Sequence, residues 1–298
     1  MRLKHFLALV LFLGGAAVLA SCSRREPVAR STGPRIVSTD PAATQILLQL
    51  GAAHEIVGVS PWDQPLLPQS MRNLPVVGDY LHLDEELVVR LAPTALILQE
   101  SAPRISPGIL AMARQHGIRI VNINLNTLRR FYVTTALLGK ISGCQKQAHL
   151  KIQALKKQLA RLAKTRPINA PRVVYIISTN PIRVVGADNF MDEELTLAGG
   201  VNVAERCGMG YPAITRETLV RLNPQVVLIA KPGQPTATSP TDPRLAPWLA
   251  LPIAAAVSKH IDLITWQKAQ MLTLDVGRII QRLRQIITAP STDTGDAK

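Results

Sequence analysis

The chain has 298 residues, 47% of them hydrophobic and 18% charged, which is enough apolar material for one large core or two smaller ones. Its formal net charge of +14 admits nucleic acid, an anionic membrane surface or an acidic ligand as a partner. No basic run carries interleaved aromatics, and that argues against nucleic acid.

The chain opens on Arg2 and Lys4, continues through an apolar run over 6–19, and closes that run with Leu19-Ala20-Ser21-Cys22. Such a pattern is a secretory signal, too short and wrongly flanked for a membrane-spanning helix. Its ending resembles the bacterial lipobox, so residues 1–21 are expected to be a signal peptide and Cys22 a lipidated N-terminus. Removing 1–21 takes away Arg2 and Lys4 and no acid, lowering the net charge from +14 to +12. Residues 22–34 then read as a polar tether holding a soluble domain at the envelope. Cys144 and Cys207 remain, in an export setting that permits a disulfide, and their spacing leaves the pairing open.

Beyond the tether, apolar β-like runs alternate with helical patterns, the signature of α/β architecture. A first lobe over 35–126 has predicted strands at 35–38, 55–59, 94–99 and 119–123, with a helix over 42–50 that stops at Gly51. A long helical pattern over roughly 127–164 follows, with Gly139 and Gly143 inside it and no proline before Pro167. Read as one rigid strut over 127–166, it would join two lobes. A helix of 25–38 residues spans roughly 40–55 Å, more than one small domain needs. Its densest basic stretch, KIQALKKQLARLAKTR, alternates charge with apolar positions and reads as a solvated helix face. A second lobe over 167–290 has predicted strands at 172–179, 184–186, 201–204, 225–230 and 260–264. Residues 231–247 form a proline-rich loop, and 291–298 a polar tail expected to be disordered.

The two lobes share a motif. YLHLDEELVVRLAP begins at Tyr80 and YPAITRETLVRLNP at Tyr211, placing Tyr80, Glu86 and Pro93 at a constant offset of 131 from Tyr211, Glu217 and Pro224. In both lobes a helix ends in glycine (Gly51, Gly199), a strand follows, and the motif comes next. Asp84 and Thr215 are natural N-caps, so Glu86 and Glu217 fall in the first turn of short helices that end at the prolines. Acids there offset the helix dipole and need no other role. Equally, each lobe could present one exposed carboxylate at the same surface position, suited to docking on a basic membrane partner. Tyr80 and Tyr211 precede those helices, in loops of the kind that bind ligands in α/β lobes. The first lobe is 17 residues longer between landmarks, in SPWDQPLLPQSMRNLPV, which carries Trp62. Trp62, Tyr80 and Tyr211 together would make an aromatic clamp for a flat or bulky ligand.

Four blocks carry a wider likeness: RIVSTDPAATQILLQLGAAHEIVGVS, LPVVGDYLHLDEELVVRLAP, VVGADNFMDEELTLAGGVNVAE and YPAITRETLVRLNP. In that order they resemble the class III substrate-binding proteins of ABC importers, which serve cobalamin, ferric siderophores and haem, and the cobalamin-binding branch most of all. The resemblance implies two Rossmann-like α/β lobes joined by a single long backbone helix, with the ligand in the cleft between them. It implies a monomer on the extracytoplasmic side, with no resident cofactor and no reaction on the ligand. It also implies that Glu86 and Glu217 engage arginines of the permease, and that Trp62, Tyr80 and Tyr211 line the cleft for a corrinoid, with a siderophore or haem next. Two departures stand out: Gln99 occupies a position where such binders place another aromatic, and TWQKAQM lacks the acid and arginine expected there.

Other chemistry has less in its favour. The histidines after the signal (His54, His82, His116, His149, His260) are scattered, whereas a metal site needs converging ligands. A Tyr80/His82 pairing on haem iron is conceivable, although a lone loop histidine is more often solvated. For an envelope hydrolase there is no G-x-S-x-G, no H-E-x-x-H and no phosphate-cradling glycine loop.

Overall fold

A computed structural model describes residues 33–79, 82–99, 105–235 and 242–289. In the first half, four short apolar runs form the strands β1 (Ile36–Ser38), β2 (Ile56–Val59), β3 (Ala95–Leu98) and β4 (Arg119–Asn122). They pair in parallel in the order β2-β1-β3-β4. In the second half β5 (Arg172–Thr179), β7 (Val201–Asn202), β8 (Val226–Ala230) and β9 (Ile261–Ile264) repeat the scheme, with β7 and β8 on opposite edges of β5 and β9 beyond β8. One strand has no counterpart: β6 (Ile182–Val184) turns back antiparallel on the distal half of β5. It falls two residues before the strand predicted at 184–186, because the turn through Asn180 and Pro181 starts the return earlier. The strand predicted at 201–204 is only the two-residue β7.

The runs are apolar on both faces because both faces are covered. Ile36, Ala95, Ile97, Val173, Tyr175, Val226 and Leu228 point into one core, while Val37, Leu96 and Leu98, and separately Val174, Ile176, Val227 and Ile229, point into two others. The period of two sorts neighbouring residues onto opposite sides. The first of these cores is shared by both lobes. It also takes in α1 (Pro41–Leu50), α4 (Leu128–Ile141), α5 (Gln145–Lys164), α6 (Phe190–Ala198) and α10 (Val276–Ile287). The outer cores are closed by short helices: α2 (Glu85–Leu91) and α3 (Pro107–His116) in the first lobe, α7 (Arg216–Leu222), α8 (Ala246–Leu249) and α9 (Ala254–Val257) in the second.

The helical pattern predicted as one strut over 127–166 is two helices. It breaks between Ile141 and Gln145, where Gly143 has φ +74°. Past the break, α5 folds back along α4, with Lys156 Nζ 5.0 Å from the ring of Tyr132. Gly139 permits this close approach, since a Cβ there would lie 2.5 Å from that of Ala148. The backbone helix is therefore α5 alone, 20 residues and roughly 30 Å long. Apolar periodicity runs through the break undisturbed, because both helices bury one stripe in the same core.

Candidate ligand-binding cleft and docking surface

In a parallel sheet the loops at the strands' carboxyl ends gather on one edge, where α/β proteins bind ligands. After β2, the backbone N–H and the hydroxyl of Ser60 both donate to Asp63 Oδ2, at 2.9 and 2.5 Å, folding a tight turn. That turn holds out Trp62, whose side chain is 64% exposed. The Trp62 Nε1–H donates to Asp79 Oδ2 at 3.3 Å, and Asp79 Oδ1 accepts from His82 N at 3.0 Å. The indole is thus pinned to the loop that contains Tyr80, itself outside the described residues. Gly78 shapes the loop: its φ is +86°, and a Cβ would meet the His82 carbonyl oxygen at 1.9 Å. Gln99 follows β3 and is exposed. The 17-residue excess predicted around Trp62 folds as two single 3-10 turns, Gln64–Leu66 and Gln69–Met71.

Beside Trp62, at the ends of β1 and β2, lie two buried carboxyls. Asp40 caps α1, its Oδ1 accepting from Ala43 N at 2.7 Å. Burial pushes its pKa up to about 6, a trend the Ala43 bond opposes and the charge of Asp63 reinforces. Burial raises Asp63 as well, against hydrogen bonds from Ser60.

In the second lobe the loop 208–214 lies along 182–187. Gly186 N donates to Gly210 O at 2.8 Å, Gly210 N to Ala187 O at 2.7 Å, and Val184 N to Pro212 O at 3.1 Å. Gly186 has to be glycine, since a Cβ would sit 2.1 Å from Gly208 O. Asn189 Nδ2 donates to Gly210 O, while its Oδ1 caps α6 by accepting from Met191 N and Asp192 N. A guanidinium N–H of Arg183 donates to Tyr211 O at 3.1 Å. Tyr211 is half-buried, and its hydroxyl pKa is pushed up to about 12 by burial and by the neighbouring Glu194. Glu194 itself is 1% exposed, and burial raises its pKa well above the usual carboxylate range.

Three residues near this edge escaped sequence reading. Met209, two residues before Tyr211, is 75% exposed. Arg183 anchors the Tyr211 loop from β6. Lys231 immediately follows β8, and its ammonium donates to Thr179 Oγ1 at the end of β5 at 3.1 Å. Proximity to a strand's carboxyl end was the available signal for Lys231.

One hydrogen bond joins the carboxyl-end side of the first sheet to the second lobe. The chain leaving β4 starts α4 at Leu128, whose N–H donates to Glu193 Oε2 at 2.7 Å, in the first turn of α6. Trp62 and Gln99 thus belong to carboxyl-end loops of the first lobe, and Tyr211 to a loop of the second.

The repeated motif folds twice in the same way. Asp84 Oδ1 accepts from Leu87 N at 2.8 Å to start α2, and Thr215 Oγ1 accepts from Thr218 N at 3.2 Å to start α7. Both helices run seven residues and end on a left-handed residue before the proline, Ala92 at φ +45° and Asn223 at φ +40°. Glu86 and Glu217 are both exposed in the first turn. The Thr215 hydroxyl beside Glu217 holds its carboxyl below the ordinary carboxylate range.

Among the described residues no three His, Cys, Asp or Glu side chains gather as a metal site would require. Cys144 and Cys207 are both free thiols, so the pairing left open by the sequence is not made. Cys22 lies outside the described residues.

Two α/β lobes, each built on a mainly parallel sheet and packed over a shared core, have the architecture of a two-lobed substrate-binding protein. The chain belongs to the periplasmic binding protein family, whose model matches residues 36–244. Members of this family are extracytoplasmic, work with ABC importers and are not enzymes. A vitamin B12-binding protein of Vibrio cholerae serotype O1 is 29% identical over 202 residues, 66% of this chain and 70% of that one. Among solved structures, the periplasmic haem-binding protein of Vibrio cholerae matches with a TM-score of 0.72 at 25% identity, covering 86% of this chain and 99% of that one. The periplasmic vitamin B12-binding protein of the same species matches at 0.68 and 23%, covering 85% and 96%. The two α/β lobes expected from the sequence are the architecture of these proteins.

Proposed function

We propose that the chain captures a corrinoid of the cobalamin type in the cleft and delivers it, chemically unchanged, to an ABC importer. The observation that carries this reading is Trp62, a largely exposed indole fixed in orientation by its bond to Asp79 and joined to the loop of Tyr80. A rigid aromatic face suits the broad apolar surface of a corrin, with Tyr211 and Met209 offering apolar contact from the other lobe. Gln99 and Lys231 offer donors for the amide oxygens on the corrin rim. The likeness to a vitamin B12-binding protein supports the same choice. A lipid on Cys22 would hold the monomer at the envelope, and Glu86 and Glu217 would dock it on basic residues of the permease. The backbone helix and shared core favour modest hinge motion.

A second reading, a haem or another iron chelate, has one observation in its favour: the likeness to a solved haem-binding protein of Vibrio cholerae. The test is parallel titration with cobalamin and hemin, followed by tryptophan fluorescence and calorimetry, with Trp62→Phe as control. Saturable binding of cobalamin, quenching that depends on Trp62, and no saturation by hemin are expected. Saturation by hemin with an iron-ligation band would replace the corrinoid with haem, and silence from both would direct the search to siderophores.

A further inference from the structure

The backbone helix α5 buries Ala148, Ile152, Leu155, Leu159 and Leu162 along one stripe. Outside that stripe it carries Lys146, Lys151, Lys156, Lys157, Arg161 and Lys164, and no acid anywhere along its length. At 3.6 residues per turn, Lys146, Lys157, Arg161 and Lys164 fall within a band of roughly 60°, directly opposite the buried stripe. That band is straight for roughly 27 Å. Leu150 falls in the middle of it and is 59% exposed, and Ile168, just beyond the helix, is fully exposed.

A solvated helix face normally interleaves acids with its cations at i, i+3 and i, i+4. Here Lys157 and Arg161, then Arg161 and Lys164, set like charges at those spacings. Among the described residues the ion pairs lie elsewhere, on Asp242, Asp262 and Asp275. The helix is held in spite of this repulsion by its buried stripe, which leaves a row of uncompensated cations around an exposed leucine. Cations flanking an outward apolar side chain are the composition of a face that lies on an anionic bilayer, with the long stems reaching headgroups and the leucine seated between them. A straight row of this length fits an extended flat surface better than a compact small anion. Nucleic acid is disfavoured by the lack of aromatics on the band and by the family's extracytoplasmic setting.

We propose that the outward face of α5 is a docking surface for anionic phospholipid headgroups. It would keep the protein lying against the membrane that holds its importer, independently of any lipid on Cys22 and of which ligand fills the cleft.

The test uses the chain from Ser23 onward, which retains the whole compact unit Pro34–Lys298 and lacks Cys22. It is sedimented with phosphatidylcholine vesicles carrying about 30% phosphatidylglycerol, and with phosphatidylcholine vesicles alone. The chain should pellet with the anionic vesicles only, and about 0.5 M salt should release it. The triple variant Lys146→Glu, Lys157→Glu and Lys164→Glu should partition at least ~10-fold less. All three positions are exposed and outside the cleft, and an unchanged circular dichroism spectrum would show that the variant is folded. Acylation of the α5 lysines by an amine reagent, read by mass spectrometry, should fall when anionic vesicles are present. Equal pelleting with both vesicle types, pelleting of the triple variant like the parent, or binding only to vesicles containing the importer would each overturn the proposal.

Discussion

Gln49 and Asp275 join the two ends of the chain: the Gln49 Nε2–H donates to Asp275 Oδ2 at 2.6 Å, while Gln49 Oε1 accepts from the neighbouring Leu274 N–H at 3.0 Å. Gln49 closes α1 of the first lobe, and Leu274 and Asp275 lead into α10 after the second sheet. Asp275 is further paired with Lys268 at 3.9 Å and with Arg278. With the Leu128–Glu193 bond, the lobes are tied at two separate points over a common core. We expect Gln49→Ala to lower stability by about 1–2 kcal/mol, because it removes two hydrogen bonds and leaves a half-buried N–H without its acceptor. Urea unfolding should show a lower midpoint with an unchanged m-value. An unaltered midpoint would mean that the seam is held by packing alone.

Neither tie was legible in the sequence, since residues 49 and 275 carry no pattern linking them. What was legible is local. Apolar runs bounded by turn residues gave the strands of both parallel sheets, and glycines after apolar helices marked stops at Gly51 and Gly199, which have φ +88° and +97°. The repeat at offset 131 anticipated two copies of one capped seven-residue helix. The break at Gly143 was missed because a buried stripe continues across it, and the return of β6 because the turn before it displaces the pattern. Of the candidate site, sequence reading proposed the aromatics and overlooked the polar side chains that bond to Trp62 and to the Tyr211 backbone, Asp79 and Arg183, whose roles arise only from tertiary contact.

The paired acids allow a test that separates docking from capture. Glu86 and Glu217 are exposed and sit on α2 and α7, not on the loops carrying Trp62 and Tyr211. Glu86→Arg together with Glu217→Arg should therefore leave ligand affinity within about twofold while abolishing importer-dependent uptake. Each single reversal should fall between. Uptake that survives the double reversal would return these residues to the role of helix-dipole acids.

Gly186 offers a way to move the Tyr211 loop without touching its side chains. A methyl group there would meet Gly208 O at 2.1 Å and the Pro212 ring at 2.8 Å, so the strand and loop must separate. We expect Gly186→Ala to destabilise by about 1–3 kcal/mol, the usual range for overpacking, and to weaken ligand binding more than tenfold. Calorimetric titration alongside urea unfolding would resolve the two effects. Stability lost with affinity intact would place Tyr211 outside the binding surface.

Asp40 sets a pH dependence whose sign can be worked out in advance. Its carboxyl has an ordinary value of 3.8 and is raised to about 6 in the folded protein, chiefly by burial. Below 3.8 both states hold the proton and the group contributes no difference. Between 3.8 and about 6 the unfolded chain releases the proton while the folded protein keeps it, so stability falls as pH rises through this window. Above it a constant penalty of about 3 kcal/mol remains. Asp63, raised in the same direction, adds to the slope. Asp40→Asn retains an oxygen able to cap α1 and removes the buried charge. The variant should match the parent near pH 3.5 and exceed it by roughly 1–3 kcal/mol near pH 7. Urea unfolding across that range decides the matter: a difference that does not grow with pH would show that Asp40 acts through its cap and not through its charge.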